Sequence, residues 1–299
     1  MKNLLIAVNG FLMALADSVP GVSGGTIAFI MGIYDKFISS LSALTGKDNA
    51  ARKDALIFLI KLGVGWVIGF AVAVTVLAAL FTEKIYWVSS LFMGFIILSI
   101  PLVVKEEKAT LSENYAKALY AIPGIVLVVL ITLFNPVGGE SGLDLSAPSA
   151  EEYIFLFVCG AIAVCAMVLP GISGSTIMLI FGVYMPIITA VKDLLHLNFS
   201  GIGIIIAMGL GIVAGVVLVI RLIKAALEKH RCAMMYFILG MMAGSLFAIA
   251  KGPETLDEPQ PAMTLGTFNI IAFIIGGAII AGLQFFKYKT EQKALKADE

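Results

Sequence analysis

Residues Pro20–Thr26 read PGVSGGT, and 150 residues later Pro170–Thr176 read PGISGST. Both stretches lie inside long apolar runs. Proline ends a helix and nearby glycines allow a tight reversal, so the chain cannot run straight through either site. Irregular backbone among apolar sequence must have its polar groups satisfied by protein or by a polar cavity. A chain that breaks twice in the same way is built on a repeat.

The repeat reaches well beyond the two motifs. With Pro20 set on Pro170, 13 of 35 positions across residues 10–44 are identical, among them Gly10/Gly160, Ala16/Ala166, Gly32/Gly182 and Tyr34/Tyr184. After a four-residue slip, Gly63, Gly65 and Gly69 pair with Gly209, Gly211 and Gly215, and Gly94 and Ser99 pair with Gly240 and Ser245. Composition says what the repeat is made of. The chain is 60% hydrophobic and 13% charged, with mean hydropathy +1.02, whereas soluble domains carry about 25% charged residues. The expected class is an all-α polytopic membrane protein. The zero net charge argues against a nucleic-acid partner. Cys159, Cys165 and Cys232 have neither metal nor redox spacing and read as packing residues, so no cofactor and no metal is expected.

Each half offers a hairpin split by the motif and three plain spans. The first repeat occupies 1–134, with a hairpin at 3–45 and spans at 56–81, 87–104 and 118–134. A linker without Lys or Arg follows at 135–152. The second repeat occupies 153–286, with a hairpin at 153–197 and spans at 202–223, 232–250 and 267–286, and 287–299 forms a tail. The first apolar stretch, ending in Ala14-Leu15-Ala16, has the look of a signal peptide. Its likeness to the mid-chain segment 157–169 assigns it instead to the fold.

Positive charge decides how the hairpins run. If each returns to the side it started from, 17 of the 20 Lys and Arg residues share a face with both termini, and only Lys84, Lys192 and Lys251 lie opposite. That is a strong positive-inside pattern with cytoplasmic termini, whereas hairpins that crossed once would destroy it. Three spans per half then make the repeats inverted, with two re-entrant hairpins dipping from opposite faces until their tips meet.

Tips of this kind suit an anion. Pro20, Gly21, Pro170 and Gly171 supply the breaks. Ser23 or Ser173 can cap the following helix, and Gly24, Gly25, Thr26, Gly174, Ser175 and Thr176 offer amides and hydroxyls without charge. Asp17 is the one carboxylate in its half-hairpin, opposite Met167 in the repeat. It reads either as a coupling or gating group or as a brace for the motif loop. Arg221, near the cytoplasmic end of its span, is a candidate phosphate ligand or a snorkelling side chain. The Gly65-x-x-x-Gly69 and Gly211-x-x-x-Gly215 pairs read as close contacts between the halves, and Trp66, Tyr86, Trp87 and Phe285–Tyr288 as interfacial anchors.

The segments GFLMALADSVPGVSGGTIAFIMGIYDKFI and GAIAVCAMVLPGISGSTIMLIFGVY resemble the paired signatures of the bacterial polyprenyl-phosphate transporter family, along the whole chain. The resemblance implies return of undecaprenyl phosphate, the lipid carrier of cell-wall synthesis, from the outer to the inner leaflet of the plasma membrane. It places function on Asp17, Pro20–Thr26 and Pro170–Thr176, with proton or sodium as possible coupling ion. A transporter or channel for a small inorganic anion would use the same tip chemistry. An intramembrane serine protease would share the Gly-x-Ser-Gly pattern, but it needs a histidine beside the serine. His196 and His230 lie at span ends, on opposite faces of the expected topology.

Overall fold

The computed structural model describes residues 2–17, 23–44, 46–73, 78–134, 145, 148–172, 174–195, 197–255, 259–282 and 285. No strand occurs among them. The helices are α1 (Lys2–Asp17), α2 (Gly24–Ile30), α3 (Tyr34–Ala43), α4 (Asn49–Val72), α5 (Ala78–Glu106), α6 (Lys108–Ser112) and α7 (Ala121–Leu133), the last preceded by a 3-10 turn at Tyr115–Tyr120. They continue as α8 (Ala150–Val168), α9 (Gly174–Ile180), α10 (Tyr184–Leu195), α11 (Ile202–Lys229), α12 (Arg231–Lys251) and α13 (Ile270–Gly282). Among the described residues, six helices are long and apolar enough to cross a membrane. Five fall over expected spans; the sixth is α8, the first arm of the second hairpin, while the last expected span holds the shorter α13.

Local sequence accounts for most boundaries. Asp48 caps α4 by accepting from the amides of Ala50 and Ala51, and Ser149 and Glu152 form a reciprocal capping box at the start of α8. The box starts α8 at Ala150, inside the segment expected to be linker. The second arms of the hairpins are not continuous helices as expected. Gly32 and Gly182 have φ of 69° and 67°, a left-handed conformation that glycine adopts without steric cost, and each arm is broken there into two short helices.

The glycines mark where backbones touch, and they do so twice over. A Cβ on Gly10 would collide with the Leu62 carbonyl and stand 3.0 Å from the Trp66 amide. One on Gly160 would collide with the Met208 carbonyl and stand 3.1 Å from the Ile212 amide. Gly65 lies on Ala7 and Gly69 on Phe11, and Gly211 on Phe157 and Gly215 on Ala161, so α1 packs along α4 as α8 packs along α11. The expectation that these Gly-x-x-x-Gly pairs join the two halves is therefore corrected: each joins helices of one half. The residue numbers rise together in both pairs, so the partners run parallel. Two parallel helices in succession need a return between them, supplied by α2–α3 in one half and α9–α10 in the other.

The halves interlock through their last helices. Gly240 rests on Ala121 and Gly244 against Ile125 and Val128, laying α7 parallel to α12. Likewise Gly94 rests on Phe273 and Gly276 on Leu91, laying α13 on α5. Each half thus lends its last helix to the other. The main core gathers side chains from α1–α5 together with α11 and α12, such as Ile27, Ile96, Ile220, Ile238 and Met242.

Candidate functional site

The two motif loops meet under this core. Ser23 is the N-cap of α2: its Oγ accepts from the Thr26 amide at 3.3 Å and donates to the Leu169 carbonyl of the second loop at 3.1 Å. Thr26 Oγ1 accepts from the Gly171 amide at 2.8 Å. Both hydroxyl residues are fully buried. Gly25 lies so close to the Val168 carbonyl that a side chain there would collide with it. On the far side, a Cβ on Gly171 would stand 2.6 Å from the Met241 carbonyl of α12, and Gly171 itself has φ of 90°. The tips therefore touch through short polar groups, side chain to backbone. The Ser23 and Thr26 hydroxyls, the Thr26 and Gly171 amides and the Leu169 carbonyl are each engaged with the opposite loop or their own.

Asp17 ends α1 beside this contact. Its Oδ1 accepts from the Gly24 amide at 2.6 Å, and its Oδ2 accepts from the Trp66 indole Nε1 at 3.1 Å. The Trp66 ring stacks on Phe70 with centroids 5.1 Å apart. Trp66 is thus not the interfacial anchor expected of it, because its polar edge points inward to Asp17. Sequence reasoning missed this partner because Trp66 is 49 positions from Asp17, and only the parallel packing of α1 on α4 brings the two together. In the second half the Met167 side chain packs on Gly174 as Asp17 packs on Gly24.

The remaining candidate residues differ in burial and in whether they are described. Pro170 is buried in the second turn, Gly174 is buried at the start of α9, and Thr176 is partly buried two residues on. Pro20, Gly21, Ser173 and the side chain of Ser175 lie outside the described residues. Arg221 has an exposed side chain on α11, as do Leu218 and Leu222 at 71% and 68% exposure. A different arginine organises charge nearby. Arg231 opens α12 and donates to Asp35 of α3 at 2.7 Å and to Glu107, after α5, at 2.9 Å. Arg231 and Asp35 border a cavity of about 350 Å³ with Ser39, Lys224 and Glu228. Its charges are mixed and half-exposed, which suits an ionic contact between elements better than an anion site.

Known proteins similar to this chain bear on its function. A family model described as undecaprenyl phosphate translocase-like matches residues 13–267. The chain is 33% identical over 269 residues to a polyprenyl-phosphate transporter of Staphylococcus aureus (strain NCTC 8325 / PS 47), covering 90% of this chain and 92% of that protein. It is 32% identical over 267 residues to a polyprenyl-phosphate transporter of Vibrio cholerae serotype O1 (strain ATCC 39315 / El Tor Inaba N16961), covering 86% of this chain and 80% of that protein. No solved structure matches the chain at a significant level.

Proposed function

The chain belongs to the undecaprenyl phosphate translocase-like family, and from that premise we propose that it carries undecaprenyl phosphate from the outer to the inner leaflet of the bacterial plasma membrane. The relatives are transporters by name rather than enzymes, and transport of a polyprenyl phosphate is the coarse reading that they support. The finer reading is that the phosphate head binds between the two motif tips while the polyprenyl tail stays in lipid. A phosphate dianion crossing bare hydrocarbon is prohibitively costly, so the head needs a polar path and the tail does not.

One observation carries this reading: Ser23, Thr26 and the Gly171 amide are buried at the contact of the two loops, and their hydrogen bonds are made across it. When the tips part, the same hydroxyls and amides become free for phosphate oxygens. Binding then exchanges neutral hydrogen bonds for charge-assisted ones, which are about twice as strong. Pro20, Gly21, Pro170 and Gly171 are the hinge positions in this reading. Ser23, Gly24, Gly25, Thr26, Ser173, Gly174, Ser175 and Thr176 line the head group, and Asp17 is the coupling or gating group, with proton or sodium as the ion. Arg221 meets the phosphate only after it leaves the tips.

The parallel packing of α1 with α4 and of α8 with α11 supports hairpins that return to their own side. Inversion of the repeats has similar support. The short connection after α5 makes α7 run opposite to it; α7 is parallel to α12, so α12 opposes its own repeat counterpart, α5. With 17 of 20 basic residues assigned to one face, both termini are cytoplasmic and the 135–152 linker is outside.

The test is the outer-leaflet pool of undecaprenyl phosphate in cells lacking this protein and its redundant counterparts. Accumulation outside should be reversed by the wild type and not by a normally expressed Ser23→Ala/Ser173→Ala variant. An outer pool that does not respond to the protein's loss removes the lipid reading.

A further inference from the structure

The two tips each lead into a seven-residue helix that ends at a left-handed glycine, yet the first carries a half-buried polar pair where the second has apolar side chains. In the first half, Asp17 rests on Gly24 and takes the Trp66 indole N–H. In the second, Met167 rests on Gly174. Ile212 stands on α11 where Trp66 stands on α4: a Cβ on Gly10 would lie 3.0 Å from the Trp66 amide nitrogen, and one on Gly160 3.1 Å from that of Ile212. A Met and Ile pair therefore replaces the Asp and Trp pair as a unit. The backbone does not need the polar pair. With Met and Ile, the second loop still leads into a helix of seven residues, as the first does. Its glycine break likewise has φ of 67° against 69°. Even a half-buried carboxylate is dearer than an apolar side chain of similar size, and departures from the cheaper local solution gather at functional positions.

We infer that Trp66 is a positioning residue for transport: its indole N–H fixes the Asp17 carboxylate at the first tip, and this pair gives the two otherwise equivalent tips different roles. The inference rests on the transport reading above. Phe70 stacks on the indole with the rings nearly parallel, and the N–H within that plane reaches Oδ2. Loosening the carboxylate changes what the first tip presents to a head group, while the second tip is untouched.

The experiment uses the full chain in proteoliposomes with undecaprenyl phosphate as probe. Wild-type protein that fails to move the lipid removes the transport reading itself, independently of the role of Trp66. Given wild-type transport, Trp66→Phe keeps the stack on Phe70 and loses only the N–H; transport is expected to fall about tenfold, the size of one hydrogen bond to a charged group. Asp17→Met/Trp66→Ile, which installs the second half's own pair, should fold with an unchanged thermal midpoint and fail to transport. In a Trp87→Phe background, Trp66 is the one remaining tryptophan, and adding lipid should shift its emission. The shift should vanish with Asp17→Met. Full transport by Trp66→Phe, or emission indifferent to lipid, overturns the inference. So does an Asp17→Met/Trp66→Ile protein that cannot fold, because the pair would then be scaffold.

Discussion

Thr26 shows how much one hydroxyl does at the tip contact. Its Oγ1 is the acceptor for the Gly171 amide, and Thr26→Val would leave that buried N–H unpaired at almost the same side-chain volume. An orphaned buried donor costs about 1–3 kcal/mol. Thr26→Val is therefore expected to lower the thermal unfolding midpoint in detergent, and Thr26→Ser to restore most of it. Gly25→Ala acts by space instead. Its Cβ would overlap the Val168 carbonyl, forcing the loops apart, so both midpoint and transport are expected to fall; transport equal to wild type would show that the loops need not close. The motif's role as a break and its polar donors were legible in the sequence, because Pro, Gly and Ser have few uses inside apolar runs. The Trp66–Asp17 bond was not. Local sequence says where an indole sits along a helix, not which way its N–H faces.

At the scale of helices, glycines separate into those that touch backbone and those that face open space. Gly65 lies against Ala7, whereas Gly63, two residues earlier on α4, has nothing within 4 Å. Overpacking in a tight contact costs about 1–3 kcal/mol, so Gly65→Ala should lose folded protein while Gly63→Ala behaves as wild type. The same contrast is expected for Gly211→Ala and Gly209→Ala, because the second half repeats the geometry. The repeat itself was readable from matched glycines, but their partners were not. The Gly-x-x-x-Gly pattern announces a close neighbour without naming it, and the returning hairpin places α1 beside α4 within one half. Arg231 belongs to this scale too. It ties α3 and the end of α5 to α12 through carboxylates that are partly exposed, and such bridges contribute about 0–1 kcal/mol each. Arg231→Ala should shift the unfolding midpoint only slightly; a large drop would mean that the three elements depend on this contact to assemble.

Over the whole molecule, the all-helical membrane class follows from composition alone, since so few charged residues leave no polar surface for a soluble domain. How the halves interlock does not follow. The exchange of α7 and α13 between halves depends on contacts between residues far apart in the chain, which no local pattern encodes. Orientation is open to a direct test in a chain whose Cys159, Cys165 and Cys232 are replaced by alanine. A membrane-impermeant maleimide applied to intact cells should label Ala150→Cys, exposed at the start of α8. It should reach Glu113→Cys, exposed after α6, only once the cells are permeabilised. The reverse pattern would invert the proposed topology and with it the direction of the hairpins.

The central claim is that the lipid's phosphate sits between the two tips. An undecaprenyl phosphate analogue with a photoreactive group beside the phosphate tests this most directly, with the crosslinked peptides identified by mass spectrometry. Labelling is expected in both loops, on peptides containing Ser23–Thr26 and Pro170–Thr176, and should be suppressed by excess undecaprenyl phosphate. Labelling confined to the lipid-facing surfaces of α4 and α11, with neither loop modified, would contradict it.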